Sequence, residues 1–309
     1  MQPTNRAAVA MSSASDRQAG FSRGPQATRW GLIAGIIIAV AISVAMAVAI
    51  KWRWSEVGAQ PRSLPMPAVS DHQEAGVSQE FRPESESPTV ARDVEEPERF
   101  VALRQRMVRY QLEARDIRDQ RVLEVMGRIP RHRFVPESQR ESAYADWPLQ
   151  IGAGQTISQP YIVALMTQLA QPRPDSRALD VGTGSGYQAA VLAEMCREVY
   201  SIEIVESLAT ESRVRLAELG YRNVEVRHGD GYRGWPEHAP FDVIILAAAP
   251  PHIPEPLVEQ LAVGGRLVLP VGERSQELVV VEKQPDGTTR QWTEIAVMFV
   301  PMTGEAQRR

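Results

Sequence analysis

From Tyr161 onward, short apolar runs alternate along the chain with segments of helical spacing. This pattern predicts helices at Tyr161–Ala170, Tyr187–Met195, Val205–Leu219 and Pro254–Leu261. It predicts strands at Ala178–Val181, Val199–Glu203, Val224–His228, Phe241–Ala247 and Arg266–Val271, followed by β-rich runs at Leu278–Val281 and Trp292–Val300. Alternating units of this kind indicate an α/β fold with a doubly wound, mostly parallel sheet, in which ligands bind beyond the carboxyl ends of the strands.

Residues 99–309 are expected to form the folded domain, and its first part, Phe100–Val125, also has helical periodicity. The preceding stretch, 55–98, contains six prolines and ten acidic residues but only three arginines. Because such a segment buries too little apolar area to offset its ordering entropy, we expect a disordered, extended linker. The polar residues 1–29 are expected to be a disordered tail.

Residues 31–50 form an apolar run without charges, in which Ser43 is the sole polar side chain. At about 1.5 Å per residue, a helix of this length spans roughly 30 Å, the hydrocarbon thickness of a bilayer. Tryptophan and basic residues flank the run, as is typical of membrane interfaces. We therefore expect 30–54 to be a membrane-spanning signal-anchor segment. A cleaved signal peptide is the alternative, since Ala45-Met-Ala47 resembles a cleavage site.

Composition narrows the possible partners. The chain of 309 residues carries a net charge of −4, so no global basic field points to nucleic acid. Its single cysteine, Cys196, excludes an intrachain disulfide framework and is expected to be a small core residue. The five histidines lack metal-binding spacing, so no metal site is expected.

A glycine-rich turn joins the predicted strand 178–181 to the helix that follows it. Gly182, Gly184 and Gly186 let the backbone approach a ligand closely, with helix-terminal N–H groups facing it. The dinucleotide fingerprint G-x-G-x-x-G needs a glycine where this chain has Tyr187, which disfavours a nicotinamide oxidoreductase. The pattern D-x-G-x-G-x-G, beginning at Asp180, instead resembles the first motif of class I S-adenosylmethionine (AdoMet) methyltransferases.

Two acidic residues at strand ends are candidates for the same site. Glu203 lies 21 residues after Gly182, about the spacing at which a carboxylate accepts hydrogen bonds from ribose hydroxyls. Asp230, between Gly229 and Gly231, suits an adenine amino group. The alternatives are a solvated strand-end acid and an ordinary Asp-Gly turn. The run 261–272 is expected to end a helix with a glycine cap and to start a strand.

The segment Tyr144–Tyr161 is expected to be a long loop with glycines and the hydroxyls of Thr156 and Ser158. A long ordered loop in a compact domain is usually functional, although a packed surface loop is the alternative. Its run Gly154-Gln-Thr-Ile-Ser-Gln-Pro160, together with Ile129–Pro136 and Gly229–Pro236, resembles protein-L-isoaspartate(D-aspartate) O-methyltransferases. The resemblance extends from about Met107 to Met302.

This resemblance implies a reaction and a set of site residues. Family members methylate the free carboxylate of L-isoaspartyl and D-aspartyl residues in damaged proteins, and the ester collapses to a succinimide that partly reopens as aspartate. Matching motifs make Ser158 the expected active-site serine. They place AdoMet against the three glycines and Glu203, with its adenine near Asp230 and Gly231.

The chain departs from the usual family pattern at Asp116 and Gln150, and in its residues before 99. Because AdoMet is a cytoplasmic metabolite, we expect a catalytic domain that faces the cytoplasm and is tethered through 31–50. Basic residues are balanced on the two sides of that run, so the positive-inside rule leaves its orientation open. Two other functions remain open, a methyltransferase for a small molecule and a non-catalytic, membrane-tethered binding module.

Overall fold

The computed structural model describes residues 96–308. Its helices are α1 (Glu98–Met107), α2 (Gln120–Arg128), α3 (Pro160–Ala170), α4 (Tyr187–Ala193), α5 (Glu206–Glu218) and α6 (Glu255–Glu259). Its strands are β1 (Leu149–Gly152), β2 (Gln155–Ile157), β3 (Arg177–Val181), β4 (Glu198–Glu203), β5 (Val224–His228), β6 (Phe241–Leu246), β7 (Leu261–Val271), β8 (Gln276–Lys283) and β9 (Thr289–Val297).

Seven strands form one sheet in the order β5-β4-β3-β6-β7-β8-β9. The first five strands in this order, β5, β4, β3, β6 and β7, are parallel to one another. Strands β8 and β9 extend the sheet as an antiparallel meander. The strand order reverses at β3, which lies between β4 and β6. In an open α/β sheet, this switch point is where ligands bind beyond the carboxyl ends of the strands. The predicted α/β fold with a mostly parallel sheet is confirmed.

Both faces of the sheet are buried, because successive side chains of each strand point to opposite sides. In β6, Val243 and Ile245 join a core that contains α3, α4 and α5, whereas Ile244 and Leu246 join a second core on the other face. The second core is covered by the short α6 and by single-turn helices at 231–233, 236–238 and 304–307. The switch point is thus held rigidly from both sides.

The helical segment expected at 100–125 is divided into two helices. After α1 the chain continues as a π-helical segment, Val108–Glu113, and α2 begins only at Gln120. Asp119 caps α2, since its side chain accepts a hydrogen bond from the Arg121 N–H. The domain begins before residue 99, because Glu96 accepts two hydrogen bonds from the buried Arg104. The last residues of the predicted linker therefore belong to the fold.

The structure corrects the expected glycine cap in 261–272. Helix α6 ends at Glu259, and β7 already starts at Leu261, so Gly264 and Gly265 lie within the strand. They occupy an irregularity in the pairing of β7 with β6. A Cβ on Gly265 would lie 2.9 Å from the Phe241 carbonyl oxygen. These glycines allow close approach of the neighbouring strand rather than ending a helix.

The predicted loop at 144–161 also differs in structure, because it contains the antiparallel hairpin β1–β2. Its turn passes through three consecutive residues with positive φ, Gly152, Ala153 and Gly154. Glycine favours that conformation at two of the three positions. No helix within 96–308 is long and apolar enough to cross a membrane. The tail, the apolar run 31–50 and nearly all of the linker lie outside the described residues.

Candidate active site

The glycine turn leaves the end of β3 at the switch point of the sheet. Gly182, Gly184 and Gly186 all have positive φ, and Gly186 is the N-cap of α4. The N–H of Gly182 donates to the Ile202 carbonyl oxygen at 2.8 Å, so the turn is tied to β4. A left-handed conformation at all three glycines explains why side chains are disfavoured there.

Asp180 lies beneath this turn and is fully buried. Its Oδ2 accepts a hydrogen bond from Ser201 Oγ at 2.7 Å, and Thr183 Oγ1 lies 2.6 Å from the same hydroxyl. Its Oδ1 has no hydrogen-bond partner among the described residues. Burial raises the pKa of Asp180 to about 7, with the nearby Glu203 carboxylate adding to the effect.

Glu203 ends β4 and is buried at the edge of a cavity. Its Oε2 accepts a hydrogen bond from the Gly184 N–H at 2.7 Å, and its Oε1 accepts one from the Val205 N–H at 2.9 Å. A carboxylate oxygen has two lone pairs, so each oxygen retains capacity for a ligand hydroxyl. The solvated strand-end acid considered from the sequence is therefore wrong.

Asp230 follows β5 and faces the same cavity. Its Oδ1 accepts a hydrogen bond from the Tyr232 N–H at 3.0 Å, and its Oδ2 accepts one from the Glu305 N–H at 2.7 Å. The side chains of Arg233 and Glu305 form an ion pair that also connects this turn to the segment near residue 304. Asp230 thus caps a short helical turn and also anchors the segment near residue 304.

The cavity lies between the glycine turn, the ends of β4 and β5, the hairpin and the segment 300–303. The Ala249 N–H donates to the Val300 carbonyl oxygen at 2.9 Å, and the Met302 N–H donates to the Ala249 carbonyl oxygen at 2.8 Å. The lining residues are Gln155, Thr156, Val181, Gly182, Gly184, Ile202, Glu203, Ile204, Asp230, Gly231, Ala247, Ala248, Val300, Pro301, Met302 and Thr303.

Five of the predicted cofactor residues line this cavity, namely Gly182, Gly184, Glu203, Asp230 and Gly231. Gly186 does not, because it lies at the start of α4, where a Cβ would approach Leu216 at 3.3 Å. The sequence did not predict three further parts of the lining as cofactor contacts, namely Gln155, Thr156 and 300–303. The run Phe299–Met302 also resembles the family, but its place at the cavity was not predicted, because that place depends on pairing with Ala249 across the fold.

Ser158 lies just beyond β2 and before α3, half-buried and outside the cavity lining. Its carbonyl oxygen accepts a hydrogen bond from Arg131 Nη2 at 2.7 Å. The register of the hairpin, in which Leu149 faces Ile157, places Ser158 at the open end of β1–β2. Gln150 faces Thr156 in the same hairpin, so this departure from the family pattern lies opposite a cavity residue.

A second group of buried polar residues surrounds Tyr144, which precedes the hairpin in sequence. His132 Nδ1 is 2.9 Å from the Tyr144 hydroxyl, and its ring stacks on Phe100 at 4.1 Å. Burial lowers the pKa of His132 to about 4, although Glu96 opposes the shift. His132 is therefore neutral at neutral pH, and the described residues contain no cluster that fits a metal ion.

The residues of the cavity fit AdoMet. Glu203 and Asp230 offer carboxylate oxygens to hydroxyl and amino donors, and they complement a ligand with a positively charged sulfur. Apolar side chains, among them Val181, Ile202 and Met302, supply contacts for a flat ring. With the glycine turn at the switch point of a mostly parallel sheet, these features define a class I AdoMet-dependent methyltransferase.

The comparisons with known proteins identify the family. The family model for protein-L-isoaspartate(D-aspartate) O-methyltransferase matches residues 102–307. The chain therefore belongs to this family.

Relatives and solved structures agree with this assignment. The protein-L-isoaspartate O-methyltransferase of Synechococcus sp. is 56% identical over 211 residues, which cover 66% of this chain and 86% of the relative. The protein-L-isoaspartate O-methyltransferase 2 of Polaromonas sp. is 58% identical over 189 residues, 60% of this chain and 90% of the relative.

The fold is similar to a solved putative protein-L-isoaspartate O-methyltransferase from Plasmodium falciparum in complex with S-adenosyl-L-homocysteine. The TM-score is 0.58 at 28% identity, and the match covers 65% of this chain and 98% of that one. A second solved protein-L-isoaspartate O-methyltransferase matches with a TM-score of 0.60 at 27% identity, over 65% of this chain and 67% of that one.

Proposed function

We propose that this protein transfers the methyl group of AdoMet to the free carboxylate of L-isoaspartyl and D-aspartyl residues in damaged proteins, which starts their repair through a succinimide. The observation that carries this function is the cavity between the glycine turn and the β1–β2 hairpin, in a chain whose family model spans 102–307. The cavity accommodates the cofactor, and the hairpin presents the motif specific to this family.

The chemistry requires positioning rather than a base. AdoMet supplies an activated methyl group on a positively charged sulfur. A carboxylate is already ionised at neutral pH, so no side chain has to remove a proton from it. Glu203 and Asp230 orient the cofactor, and the glycine turn allows its close approach. The Ser158 hydroxyl donates a hydrogen bond to one carboxylate oxygen and directs the other toward the methyl group.

An assay with matched peptides tests this function. The protein is incubated with AdoMet carrying a labelled methyl group and with a peptide that contains either L-isoaspartate or aspartate at one position. Methyl ester should form on the isoaspartyl peptide and not on its aspartyl twin. Equal labelling of both peptides, or none with either, would contradict the proposal. Labelling of small carboxylic acids in preference to the isoaspartyl peptide would indicate the small-molecule alternative.

We also propose that the domain faces the cytoplasm and is tethered to the membrane through residues 31–50. The support for the tether is the uncharged apolar run and its flanking tryptophans and basic residues. The support for the orientation is the cytoplasmic supply of AdoMet. Protease added to intact cells should leave the domain uncut, and the protein should sediment with membranes until detergent is added. Cleavage from outside would contradict the orientation, and an N-terminus found beyond residue 50 would contradict the tether.

A further inference from the structure

Arg131 is a fully buried arginine that contacts the chain on both sides of the β1–β2 hairpin. Its Nε donates to the Ala143 carbonyl oxygen at 2.7 Å, and its Nη2 donates to the Ser158 carbonyl oxygen at 2.7 Å. These two carbonyls lie at opposite ends of the segment that contains β1 and β2. One side chain therefore fixes both ends of the segment that carries Ser158.

Among residues 96–308, no carboxylate forms an ion pair with Arg131. The carboxylates in this part of the chain that pair with arginines pair with arginines other than Arg131. Arg131 Nη1 has no hydrogen-bond partner among the described residues. The charged or titratable groups that face Arg131 are Tyr187, Tyr144 and Asp146. The Tyr187 ring lies 4.8 Å from the guanidinium, and Asp146 pairs with Arg115 at 3.2 Å. Burial lowers the pKa of Arg131 to about 10, so it remains a cation at neutral pH.

The lining of the cavity carries negative charge, opposite to that of Arg131. Its lining includes Glu203 and Asp230 but no lysine, arginine or histidine. These acids suit a cationic cofactor, yet they repel the carboxylate that must receive the methyl group. A residue's hydroxyl and carbonyl oxygens are within about 4 Å of each other by covalent geometry. The Arg131 guanidinium therefore lies within roughly 7 Å of the Ser158 hydroxyl.

We propose that Arg131 is a positioning residue that holds Ser158 in place and whose buried charge offsets the repulsion of the substrate carboxylate. This inference rests on the proposed methylation of isoaspartyl residues. The proposal extends the site to a residue outside the cavity. Arg131 stabilises the bound substrate carboxylate rather than the methyl transfer itself.

The charge balance of the reaction decides which kinetic constant changes. An oxygen of the substrate carboxylate bonds to the methyl carbon while the carbon–sulfur bond breaks and its electron pair stays on sulfur. A negative and a positive charge thereby become a neutral ester and a neutral thioether. The field of Arg131 consequently stabilises the bound carboxylate more than the transition state. Loss of this charge should therefore raise KM for the peptide without lowering kcat.

The experiment measures binding of an isoaspartyl peptide to the full-length protein in the presence of S-adenosyl-L-homocysteine, from pH 4 to pH 8. Arg131→Gln keeps hydrogen-bond donors but removes the charge, whereas Arg131→Lys keeps the charge. The Gln variant should bind peptide about tenfold more weakly at pH 7. Its affinity should fall less than that of wild type as pH is lowered, because the advantage that the Arg131 charge gives to the ionised carboxylate disappears when that carboxylate is protonated. The Lys variant should follow the wild-type pH profile.

Two further variants separate charge from structure. Arg104 is also a buried arginine, but Glu96 neutralises it, so Arg104→Gln should leave the pH profile of peptide binding unchanged. Asp146→Asn removes a negative charge near Arg131 from a partly exposed position, so it should tighten peptide binding about twofold even if Arg131→Gln does not fold. S-adenosyl-L-homocysteine affinity should be unchanged in each folded variant.

The outcomes distinguish this inference from the proposed function. Wild-type protein that fails to methylate isoaspartyl peptide contradicts the function itself. Active wild-type protein overturns the role of Arg131 if the folded Gln variant keeps the wild-type pH profile. The same conclusion follows if Arg131→Lys shifts the profile as far as Arg131→Gln, or if Asp146→Asn leaves peptide affinity unchanged or weaker.

Discussion

Glu203 accepts a hydrogen bond from the backbone N–H of Gly184 at 2.7 Å. The end of β4 is thereby fixed to the glycine turn after β3, so the carboxylate and the turn form one unit. A ligand that contacts Glu203 therefore contacts a group whose position is already set. Such preorganisation reduces the ordering that binding would otherwise require.

Replacement of this carboxylate should affect both cofactor binding and stability. In Glu203→Ala, the N–H groups of Gly184 and Val205 lose their acceptor, which should destabilise the fold by about 1–3 kcal/mol. AdoMet affinity, measured by calorimetry, should fall by about tenfold or more, since ribose hydroxyls lose a charged acceptor. Glu206→Ala, an exposed acid at the start of α5, is the matched control. Unchanged affinity in Glu203→Ala would refute this role.

Substitution of Ser158 should separate turnover from cofactor binding. Ser158→Ala removes the hydroxyl while its carbonyl oxygen can still accept the Arg131 hydrogen bond. We expect kcat for an isoaspartyl peptide to fall by about ten- to a hundredfold, because one positioning donor is lost. AdoMet affinity should stay within about twofold of wild type. The control Ser207→Ala, at an exposed position, should keep both kcat and AdoMet affinity within about twofold. A parallel loss of cofactor affinity would show that Ser158 shapes the cofactor site instead.

Gly231 is expected to tolerate no side chain. A Cβ at this position would lie 2.3 Å from Val181 Cγ1, in the wall of the cavity. Gly231→Ala should therefore destabilise the protein by about 1–3 kcal/mol and weaken AdoMet binding. Gly229→Ala is a close control, since its Cβ would meet its nearest atoms at 3.9 Å. Adding Val181→Ala to Gly231→Ala should restore part of the loss in thermal unfolding, and a purely additive double mutant would rule out this clash.

Asp230 should couple the cofactor to the segment near residue 304. Asp230→Ala removes the acceptor of the Glu305 N–H as well as a cavity carboxylate. Hydrogen exchange of the Glu305 amide should therefore accelerate, and AdoMet affinity should fall by about tenfold. Arg233→Ala, which breaks the ion pair with Glu305 but leaves the Asp230 carboxylate in place, should have a smaller effect on affinity. Equal effects of the two substitutions would assign the contribution to the segment rather than to the carboxylate.

Asp180 should make stability depend on pH. Its pKa is about 7 in the folded protein and close to 3.8 when unfolded, so the folded state binds more protons between these values. Stability therefore falls as pH rises through this window and stays lower above it. Asp180→Asn should gain stability relative to wild type across the window, by up to a few kcal/mol at pH 8.

Urea unfolding of both proteins at several pH values measures this difference. The lowered pKa of His132, about 4, acts in the opposite sense, because stability from its neutral form is lost as pH falls. His132 is present in both proteins, so its effect cancels in the comparison. Asp175→Asn, an exposed aspartate before β3, should show no such trend. A pH-independent gain in Asp180→Asn would mean that Asp180 is ionised in the fold.

The period of the apolar positions was sufficient to predict the central elements. Val224–His228 has the predicted bounds, β3 and β4 each begin one residue earlier than predicted, and α5 is one residue shorter at each end. The apolar positions within each of these elements already have the period of a strand or helix, so the local sequence predicts the element. The glycine spacing likewise predicted the turn at the switch point, and the Glu203 and Asp230 carboxylates lie at the cavity it borders.

The differences arise where contacts distant in sequence determine the conformation. Gly264 and Gly265 read locally as a helix cap, but close approach of β6 requires them within a strand. The hairpin at 149–157 depends on three residues with positive φ, one of which is Ala153 and carries no glycine signal. Arg131 belongs to the run Ile129–Pro136 that resembles the family, but no local signal distinguishes it within that run, because its importance comes from burial and from the two distant carbonyls it contacts.

The pairing of Ala249 with the segment 300–303 has a consequence for biosynthesis. A ribosome translates the glycine turn and all the mutually parallel strands, β3 to β7, before it reaches this segment. The nascent chain can assemble the centre of the sheet while it is still being made, yet one wall of the cavity is missing. The cavity is therefore complete only once 300–303 has been translated, after the rest of its lining.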